Sequence, residues 1–309
     1  MNSVNPVVSI IIVSYNVEYF LIRCIESLMV HKCEVPFEII VVDNNSSDNT
    51  VSSLRLEFPE ILVIQSTKNI GFAAANNLGI TYAKGEYFFL LNPDTVVEDN
   101  ATQELFKFLS ENPSAGAAGS YLKNPDGSFQ MSCYPFPTLF RELWRLFHLD
   151  KLLSIALYPQ ITWDRSLPQK CDVIQGTSLM IKKTAWRSLG GLDENFFIYS
   201  EEVDFCYRLK TAGFERYWVP TSQVIHYGGQ STSQVAKEMF LQLYRAKTQF
   251  FKKHRGEVAG KLYKIILLMA SLFRISLSPL IVWVNPQEKL QQKIIRENYK
   301  YLISSLSRL

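Results

Sequence analysis

Short apolar runs, rich in β-branched residues, alternate with segments of helical periodicity through the first hundred residues. The runs cover residues 7–13, 37–42, 61–64 and 87–91. Continuous apolar runs of this length are typical of strands buried on both faces, and the segments between them are long enough for helices. Strands separated by such helices favour right-handed crossovers. The sequence therefore predicts an α/β fold in which helices flank a parallel or mixed sheet.

Polar loops follow these strands, at residues 14–16, 43–48, 69–76 and 92–94. Ligands bind at the carboxyl ends of the strands in open parallel sheets, so these loops are expected to share one site. The alternative is a set of Asx-rich turns without a ligand. The candidate ligand-binding residues are Ser14, Asn16, Asp43, Asn45, Asn69, Gly71, Asn76 and Asn92.

Two carboxylates in these loops suggest specific chemistry. Asp43 follows a buried run directly, and a carboxylate there can accept the ring N–H of a pyrimidine base. Asp94 follows the run 87–91 after Pro93, where it can hold a divalent cation against a phosphate. The alternative for Asp94 is a cap on a helix beginning near Glu98.

The glycine pattern disfavours two large nucleotide-binding classes. Gly71 opens a helix among small residues, which would let a ligand approach the helix N-terminus closely. The chain has neither the G-x-G-x-x-G pattern nor the G-x-x-x-x-G-K-[ST] pattern. A dinucleotide-dependent dehydrogenase and a P-loop nucleotidase are therefore disfavoured.

Three acids lie within four residues at Glu201, Glu202 and Asp204, flanked by aromatic residues. Acids in a first helical turn interact favourably with the helix dipole, so simple helix stabilisation is one interpretation. Asp204 and Arg208 have the i,i+4 spacing of an ion pair. A catalytic use of the remaining carboxylates is the other interpretation.

The motifs resemble those of a known family. V-S-I-I-I-V-S-Y-N, F-E-I-I-V-V-D-N-N-S-S-D-N-T, N-I-G-F-A-A-A-N-N and L-L-N-P-D-T occur in the order found in the inverting glycosyltransferases of family 2, which have a GT-A type fold, and specifically in their rhamnosyltransferase-like branch. The resemblance covers roughly residues 7 to 230.

The resemblance implies roles for four residues. It implies that Asp43 holds the uracil or thymine of a sugar nucleotide, and that Asp94 binds the metal on its diphosphate. Asn92 stands where many members have a second carboxylate, so a further contact to the metal or diphosphate is expected from His226. Glu202 matches the catalytic base, with Glu in place of the more usual Asp.

The acceptor side of the predicted site is less regular in sequence. Residues 131–170 mix aromatic residues and prolines without clear periodicity, and we interpret them as an insertion near the acceptor. Trp163 would stack on a sugar, although packing is the commoner role of such a residue. Gly176 interrupts a strand, as if something lay against it. Gly176, Glu201 and Trp163 are the candidate acceptor-binding residues.

The last part of the chain differs in charge. Residues 252–309 hold 11 Lys and Arg against 3 Asp and Glu, a net charge of +8, whereas the whole chain carries +3. We predict a catalytic domain over 1–235 and a helical region over 236–309 that associates with an anionic membrane surface. The apolar segment 265–284 is interrupted by serines, Arg274 and Pro279, which favours a position in the membrane interface over a span, and a buried helix is the other possibility.

The cysteines and the N-terminus suggest a compartment. Five cysteines show no disulfide or zinc spacing, and the first apolar run has no basic region before it, so we expect reduced thiols and no signal peptide. The predicted location is the cytoplasm, with peripheral attachment to the inner face of the cell membrane.

Together these features predict a glycosyltransferase dependent on Mg²⁺ or Mn²⁺ held by Asp94 and His226. The expected donor is a dTDP- or UDP-sugar, with dTDP-rhamnose favoured, and the expected acceptor is a lipid-linked glycan or polysaccharide. Nucleic acid is not an expected partner. The alternatives are a nucleotidyltransferase and a non-catalytic scaffold that binds nucleotide or membrane.

Overall fold

A computed structural model describes residues 5–30, 33–151, 153, 156–284, 287 and 289–309. Their contacts divide the chain into two compact units. The first contains residues 1–136, 159–197 and 201–234, and the second contains residues 137–158, 198–200 and 235–309.

The first unit is built on one large mixed sheet. Its strand order is β3-β2-β1-β4-β11-β6-β12-β5, with β7 paired to β6 and β9 paired to β12, while β8 and β10 form a separate pair. The strands are β1 (Val8–Ser14), β2 (Phe37–Asp43), β3 (Leu62–Gln65), β4 (Tyr87–Leu91), β5 (Thr95–Val97), β6 (Ala115–Lys123), β7 (Phe129–Gln130), β8 (Cys133–Tyr134), β9 (Gln169–Lys170), β10 (Val173–Ile174), β11 (Ser178–Lys182) and β12 (Glu215–His226).

Helices occur in both units. The helices of the first unit are α1 (Glu18–Val30), α2 (Thr50–Glu57), α3 (Phe72–Thr81), α4 (Ala101–Glu111), α6 (Lys183–Leu189) and α7 (Glu201–Thr211). Those of the second are α5 (Leu139–Leu146), α8 (Ala236–Arg255), α9 (Glu257–Val284) and α10 (Lys289–Ser305). Short 3-10 helices cover Leu149–Lys151, Gln160–Thr162, Thr232–Val235 and Leu306–Arg308.

The predicted α/β fold is confirmed, and the first four predicted strands are β1 to β4. β1 pairs in parallel with both β2 and β4. Ser14 lies opposite Asp43, and Ile12 lies opposite Leu91, so the carboxyl ends of the three strands meet at one edge. The strands are buried along almost their whole length, which explains their unbroken apolar sequences.

The second half of the sheet is mixed. β11 runs antiparallel to both β4 and β6, and β12 runs parallel to β6. A hairpin over residues 124–127 joins β6 to the antiparallel β7, and Gly127 has a positive φ of 81° in its turn. β12 ends at His226. This arrangement brings β11 and β12 to the edge where β1, β2 and β4 end.

Residues 131–170 have more structure than their sequence suggested. They contain β8, α5 and two short 3-10 helices. α5 begins after Thr138, whose hydroxyl accepts a hydrogen bond from the Arg141 amide at 3.1 Å. The segment lacks clear periodicity because prolines and closely spaced aromatic residues interrupt these short elements, and its interpretation as an insertion near the acceptor remains a prediction. Residues 137–158 belong to the second unit.

The second unit packs its helices around a core of its own. The core includes Tyr244, Tyr263, Leu267 and Leu302. Arg274 and Ser271, which interrupt the apolar sequence, are used inside this unit: Arg274 donates to the Leu146 carbonyl and Ser271 to the Leu267 carbonyl. α9 continues through Pro279 to Val284. No helix in the described part of the chain is long and apolar enough to cross a membrane.

Candidate active site

Asp94 and His226 come together because β5 pairs antiparallel with the end of β12. In this register His226 lies opposite Thr95, the residue after Asp94. The Nε2 atom of His226 lies 3.4 Å from Oδ1 of Asp94, and both side chains are buried. The backbone adds a further link, since the Tyr227 amide donates to the Asp94 carbonyl at 2.9 Å.

The imidazole of His226 is oriented by Gln130. Its Nδ1 atom lies 2.7 Å from Oε1 of Gln130, and Nε2 of Gln130 donates to the His226 backbone carbonyl at 3.2 Å. An amide oxygen can only accept, so Nδ1 carries the proton and Nε2 of a neutral ring presents its lone pair. Nε2 makes no hydrogen bond. When the ring is neutral, two electron-rich atoms face each other across 3.4 Å, an arrangement that a cation would stabilise.

The loop after β2 is held by a network of short side chains. Asp43 is fully buried, and its Oδ2 atom accepts the Ser46 amide at 3.2 Å. Asn44 donates to Oδ1 of Asn69 at 2.8 Å and accepts the Ile70 amide at 2.8 Å, which joins this loop to the one before α3. These contacts hold Asp43 and Asn69 near each other.

The loop after β1 joins the same network. Oδ1 of Asn16 accepts the Ser47 amide at 2.7 Å, and the Asn16 amide donates to Oγ of Ser46 at 3.0 Å. Asn16 and Asn45 both have positive φ values, 51° and 68°. Asparagine tolerates positive φ better than most residues do. Some of the asparagines predicted to bind a ligand are therefore explained by the backbone geometry of the loops.

Gly71 has a close neighbour within the chain itself. Its φ is 85°, and a Cβ atom there would lie 2.4 Å from the carbonyl oxygen of Phe197. The same oxygen accepts the Phe72 amide at 2.6 Å. The glycine is therefore required by Phe197, whereas the sequence suggested room for a ligand. Donor binding by Gly71 remains a prediction.

Glu202 lies beside Gly176. A Cβ atom at Gly176 would be 3.7 Å from Cβ of Glu202 and 3.6 Å from the Phe72 ring, which is ordinary contact distance. The position would thus accommodate an alanine. Gly176 adjoins the predicted base, and its part in acceptor binding remains a prediction.

The acids of α7 differ in environment. Glu201 is buried, and burial followed by the neighbouring charge of Glu202 raises the pKa of Glu201 well above its usual range. Asp204 is fully buried and accepts the Arg208 guanidinium at 2.7 Å, which confirms the predicted i,i+4 pair. Arg208 also donates to the Leu189 and Gly191 carbonyls. Asp204 is thus part of a structural network, and Glu202 is the better candidate for a base.

Trp163 packs on other aromatic residues. Its ring lies edge-on to Trp218, with centroids 5.5 Å apart, and Trp218 packs on Tyr121. The segment before it is fixed by Gln160, whose Oε1 atom accepts the Ser132 and Cys133 amides. Packing explains the position of Trp163, and its stacking on an acceptor sugar remains a prediction.

Buried polar atoms without a hydrogen-bond partner concentrate on the strand ends and helix starts of this edge. Buried polar groups in proteins are almost always paired, so each of these exceptions is a candidate for contact with a ligand. The cluster comprises Ser14 Oγ, Asp43 Oδ1, Asn76 Oδ1, Gln175 Oε1, Thr177 Oγ1, Glu201 Oε2 and His226 Nε2.

Three of the residues at this site were not singled out in the sequence. Gln130 orients His226, while Gln175 and Thr177 flank Gly176 with unpaired buried oxygens. The Thr177 carbonyl also accepts the Asn92 amide at 2.9 Å. Gln175 and Thr177 could have been found from the polar residues that interrupt the apolar run 173–181. Nothing in the sequence pointed to Gln130.

Comparison with known proteins shows the family of the chain. The family model of glycosyl transferase family 2 matches residues 9–186, more than half of the chain. The chain belongs to this family. The match contains Asp43 and Asp94, while Glu202 and His226 lie beyond it.

Individual relatives and one solved structure are also similar to this glycosyltransferase. It is 28% identical over 253 residues to N-acetylglucosaminyl-diphospho-decaprenol L-rhamnosyltransferase of Mycobacterium tuberculosis, covering 76% of this chain and 79% of the relative. It is 30% identical over 214 residues to the low-salt glycan biosynthesis hexosyltransferase Agl10 of Haloferax volcanii, covering 67% and 64%. The mannosyltransferase PcManGT of Pyrobaculum calidifontis, solved with GDP-Man and Mn²⁺, superposes with a TM-score of 0.58 at 16% identity, covering 99% of this chain and 87% of the other. At that identity the likeness concerns the GT-A fold alone.

Proposed function

We propose that this glycosyltransferase is metal-dependent and inverting, and that it moves rhamnose from dTDP-rhamnose to a hydroxyl of a lipid-linked acceptor. The observation that carries the proposal is the buried pair of Asp94 and His226, in which Nε2 faces Oδ1 at 3.4 Å without a hydrogen bond. A carboxylate and an oriented neutral imidazole suit Mg²⁺ or Mn²⁺ on a diphosphate.

Recognition of the donor base is assigned to Asp43. Its Oδ2 atom is engaged by Ser46, while Oδ1 is buried without a partner. A carboxylate oxygen in this state suits the ring N–H of thymine or uracil, which would supply the missing hydrogen bond. Adenine and cytosine have no such ring N–H, so this contact disfavours those two bases, and the preference for thymine or uracil over guanine, which also has a ring N–H, rests on the family resemblance. A UDP-sugar is the second donor class that the contact accepts.

The metal assignment rests on the two residues together. No cluster of three or more His, Cys, Asp and Glu suited to a metal occurs among the described residues, so diphosphate oxygens and water would complete the coordination sphere. A bound ion would supply electrostatic stabilisation to the leaving diphosphate. Asp94 contributes a charged ligand and His226 a neutral one, and Gln130 holds the ring in the required tautomer.

Glu202 is assigned as the general base. In an inverting transfer the acceptor oxygen attacks the anomeric carbon from the face opposite the leaving group, and a carboxylate removes the hydroxyl proton as the new bond forms. Asp204 is occupied by Arg208. Glu201 is buried, and burial followed by the charge of Glu202 raises the pKa of its carboxyl, so Glu201 ionises less readily than an ordinary carboxyl.

The acceptor is assigned by two arguments. The Mycobacterium tuberculosis relative is named as acting on a diphospho-decaprenol substrate, and residues 252–309 carry a net charge of +8. Each basic residue near an anionic membrane surface contributes about 1 kcal/mol to binding. We therefore place the enzyme in the cytoplasm on the inner face of the cell membrane, in the synthesis of a cell-surface glycan.

A donor screen tests the proposal. The full chain is incubated with dTDP-rhamnose, dTDP-glucose, UDP-glucose and GDP-mannose, each with Mn²⁺ and with a chelator, and release of the nucleoside diphosphate is measured. We expect release from a pyrimidine donor, dependent on Mn²⁺ and fastest for dTDP-rhamnose. Equal release from GDP-mannose would contradict the proposed preference for a dTDP or UDP donor, and release of pyrophosphate in a parallel incubation with nucleoside triphosphates would indicate a nucleotidyltransferase.

A further inference from the structure

α9 carries a continuous exposed apolar face, which we call the α9 face. It consists of Val258, Leu262, Ile265, Met269, Leu272 and Phe273, and each of these side chains is between 39% and 71% exposed. From Val258 to Leu272 they follow one another at intervals of three or four residues, and Phe273 is four residues after Met269, so they lie along one side of the helix over about 22 Å. No other helix in the described ranges carries more than three exposed large apolar side chains.

The α9 face is separate from the side of α9 that packs on the core of the second unit. Ala259, Tyr263, Leu267 and Ala270 are buried in the second unit. Ser271 and Ser278 are also buried. The α9 face, in contrast, exposes large apolar side chains around the exposed Ser276, whereas the outer side of a helix on a water-soluble surface is mainly polar.

Cations border the α9 face. Lys261 is exposed, three residues after Val258 and four before Ile265, so it adjoins both on the helix surface. Lys264 is on the same flank, and burial followed by the nearby charge of Lys252 lowers its pKa. An apolar stripe edged by lysines matches the boundary between acyl chains and anionic headgroups, since the lysine stems can extend toward the headgroups.

We infer that the α9 face is the surface that enters the interface of an anionic lipid bilayer, with the helix axis parallel to the membrane plane. Patches of this extent mark interaction sites, and the bordering charge selects a bilayer over a second copy of the chain, which would bring like charges together. The inference rests on the proposed function only for the identity of the acceptor lipid. Membrane binding itself is measured without any transfer reaction.

The test uses the full chain and two kinds of vesicle, phosphatidylcholine alone and an equal mixture of phosphatidylcholine and phosphatidylglycerol. The face variant is Leu262→Asn/Ile265→Asn/Met269→Asn. Its matched control is Val30→Asn/Leu56→Asn/Leu62→Asn, three exposed apolar residues of the first unit. The charge variant is Lys261→Gln/Lys264→Gln. Thermal melting and nucleoside-diphosphate release in solution verify that each variant is folded.

We expect the wild type and the control to sediment with the mixed vesicles, and the face variant to bind at least tenfold more weakly. The charge variant should lose most of the preference for phosphatidylglycerol while retaining weak binding. Wild-type sedimentation of the face variant, or no vesicle binding by the wild type, would overturn the inference. A wild-type dimer that becomes monomeric in the face variant would overturn it too, because a second copy would then cover the face. Loss of nucleotide release in every protein, with these binding results intact, would refute the enzymatic proposal alone.

Discussion

His226 and Asp94 face each other at 3.4 Å, between Nε2 and Oδ1, at the point where β12 ends and β5 begins. The pairing of these two strands creates the contact, and Gln130 fixes the ring from the other side. A buried acid and an oriented imidazole at the carboxyl edge of a sheet form the part of this site that is most directly open to experiment.

Asp94→Ala should abolish the Mn²⁺-dependent binding of dTDP, since the charged ligand is lost while a loop residue contributes little to the core. His226→Ala should weaken the same binding to a smaller extent, because water can replace a neutral ligand. Isothermal titration of dTDP with and without Mn²⁺ measures both. The control is Glu57→Ala, which changes an exposed residue of α2. Unchanged Mn²⁺-dependent binding in Asp94→Ala would remove that residue from the metal site.

Gln130→Leu should lower the affinity for Mn²⁺ by about 10- to 100-fold, which is typical when the partner of a metal-binding histidine is lost. Gln130→Glu should retain affinity, since a carboxylate also accepts the Nδ1 proton. Electron paramagnetic resonance of free Mn²⁺ in the presence of dTDP gives the affinities. If the Leu and Glu variants bind equally, orientation of His226 by residue 130 is not important for the metal.

Glu202→Gln should reduce turnover at saturating donor by about 10²- to 10⁴-fold while donor affinity stays nearly unchanged, because the amide cannot take a proton. Glu202→Asp should be partly active, since it keeps a carboxylate but withdraws it by one methylene. Glu201→Gln and Asp204→Asn are compared under the same conditions. Near-native turnover in Glu202→Gln, with loss in either neighbour, would show that the base is another carboxylate of α7.

The buried carboxyl of Glu201 should make the free energy of unfolding fall as pH rises. Burial raises its folded pKa above the ordinary 4.5, so its stabilising contribution is complete below that value and is lost as pH rises through the folded pKa. Glu201→Gln removes this dependence. Urea unfolding from pH 4.5 upward should therefore show the variant gaining stability relative to the wild type. A constant difference across the series would mean that Glu201 titrates normally.

The second unit depends on a buried ion pair. Glu142 accepts Lys247 at 2.8 Å and the Tyr263 hydroxyl at 3.1 Å. Burial alone would raise the pKa of Glu142, but the charges of Lys247 and Arg145 outweigh it and hold the pKa below 4.5. The interactions of ionised Glu142 therefore stabilise the fold above pH 4.5. This stabilisation is lost as pH falls through the lowered pKa of Glu142.

Glu142→Gln should destabilise the second unit by about 3 kcal/mol, because it leaves the Lys247 charge buried without its partner. Glu142→Leu/Lys247→Met should recover much of the loss, since it removes both charges. Denaturant unfolding followed by circular dichroism compares the three proteins. A double variant as unstable as the single one would mean that packing, and not charge, is the contribution of Glu142.

The elements of the first half could be predicted because their signal is local. Each buried strand is an uninterrupted apolar run, and each helix has its own periodicity, so β1 to β4 and the polar loops at their carboxyl ends follow from neighbouring residues alone. The short elements of residues 131–170 were not predicted for the converse reason: they are held by distant partners, such as Gln160 with the amides of Ser132 and Cys133.

The α/β class, the polar edge of the sheet and the residue types found there could be predicted from the sequence, because side-chain chemistry and periodicity are properties of consecutive residues. Which of those residues meet depends on the tertiary structure. The register of β5 against β12 sets His226 beside Asp94, and the packing of Phe197 against Gly71 shows that this glycine serves the chain itself. Such contacts join residues far apart in the chain, and they are fixed by strand register and packing, which no local pattern encodes.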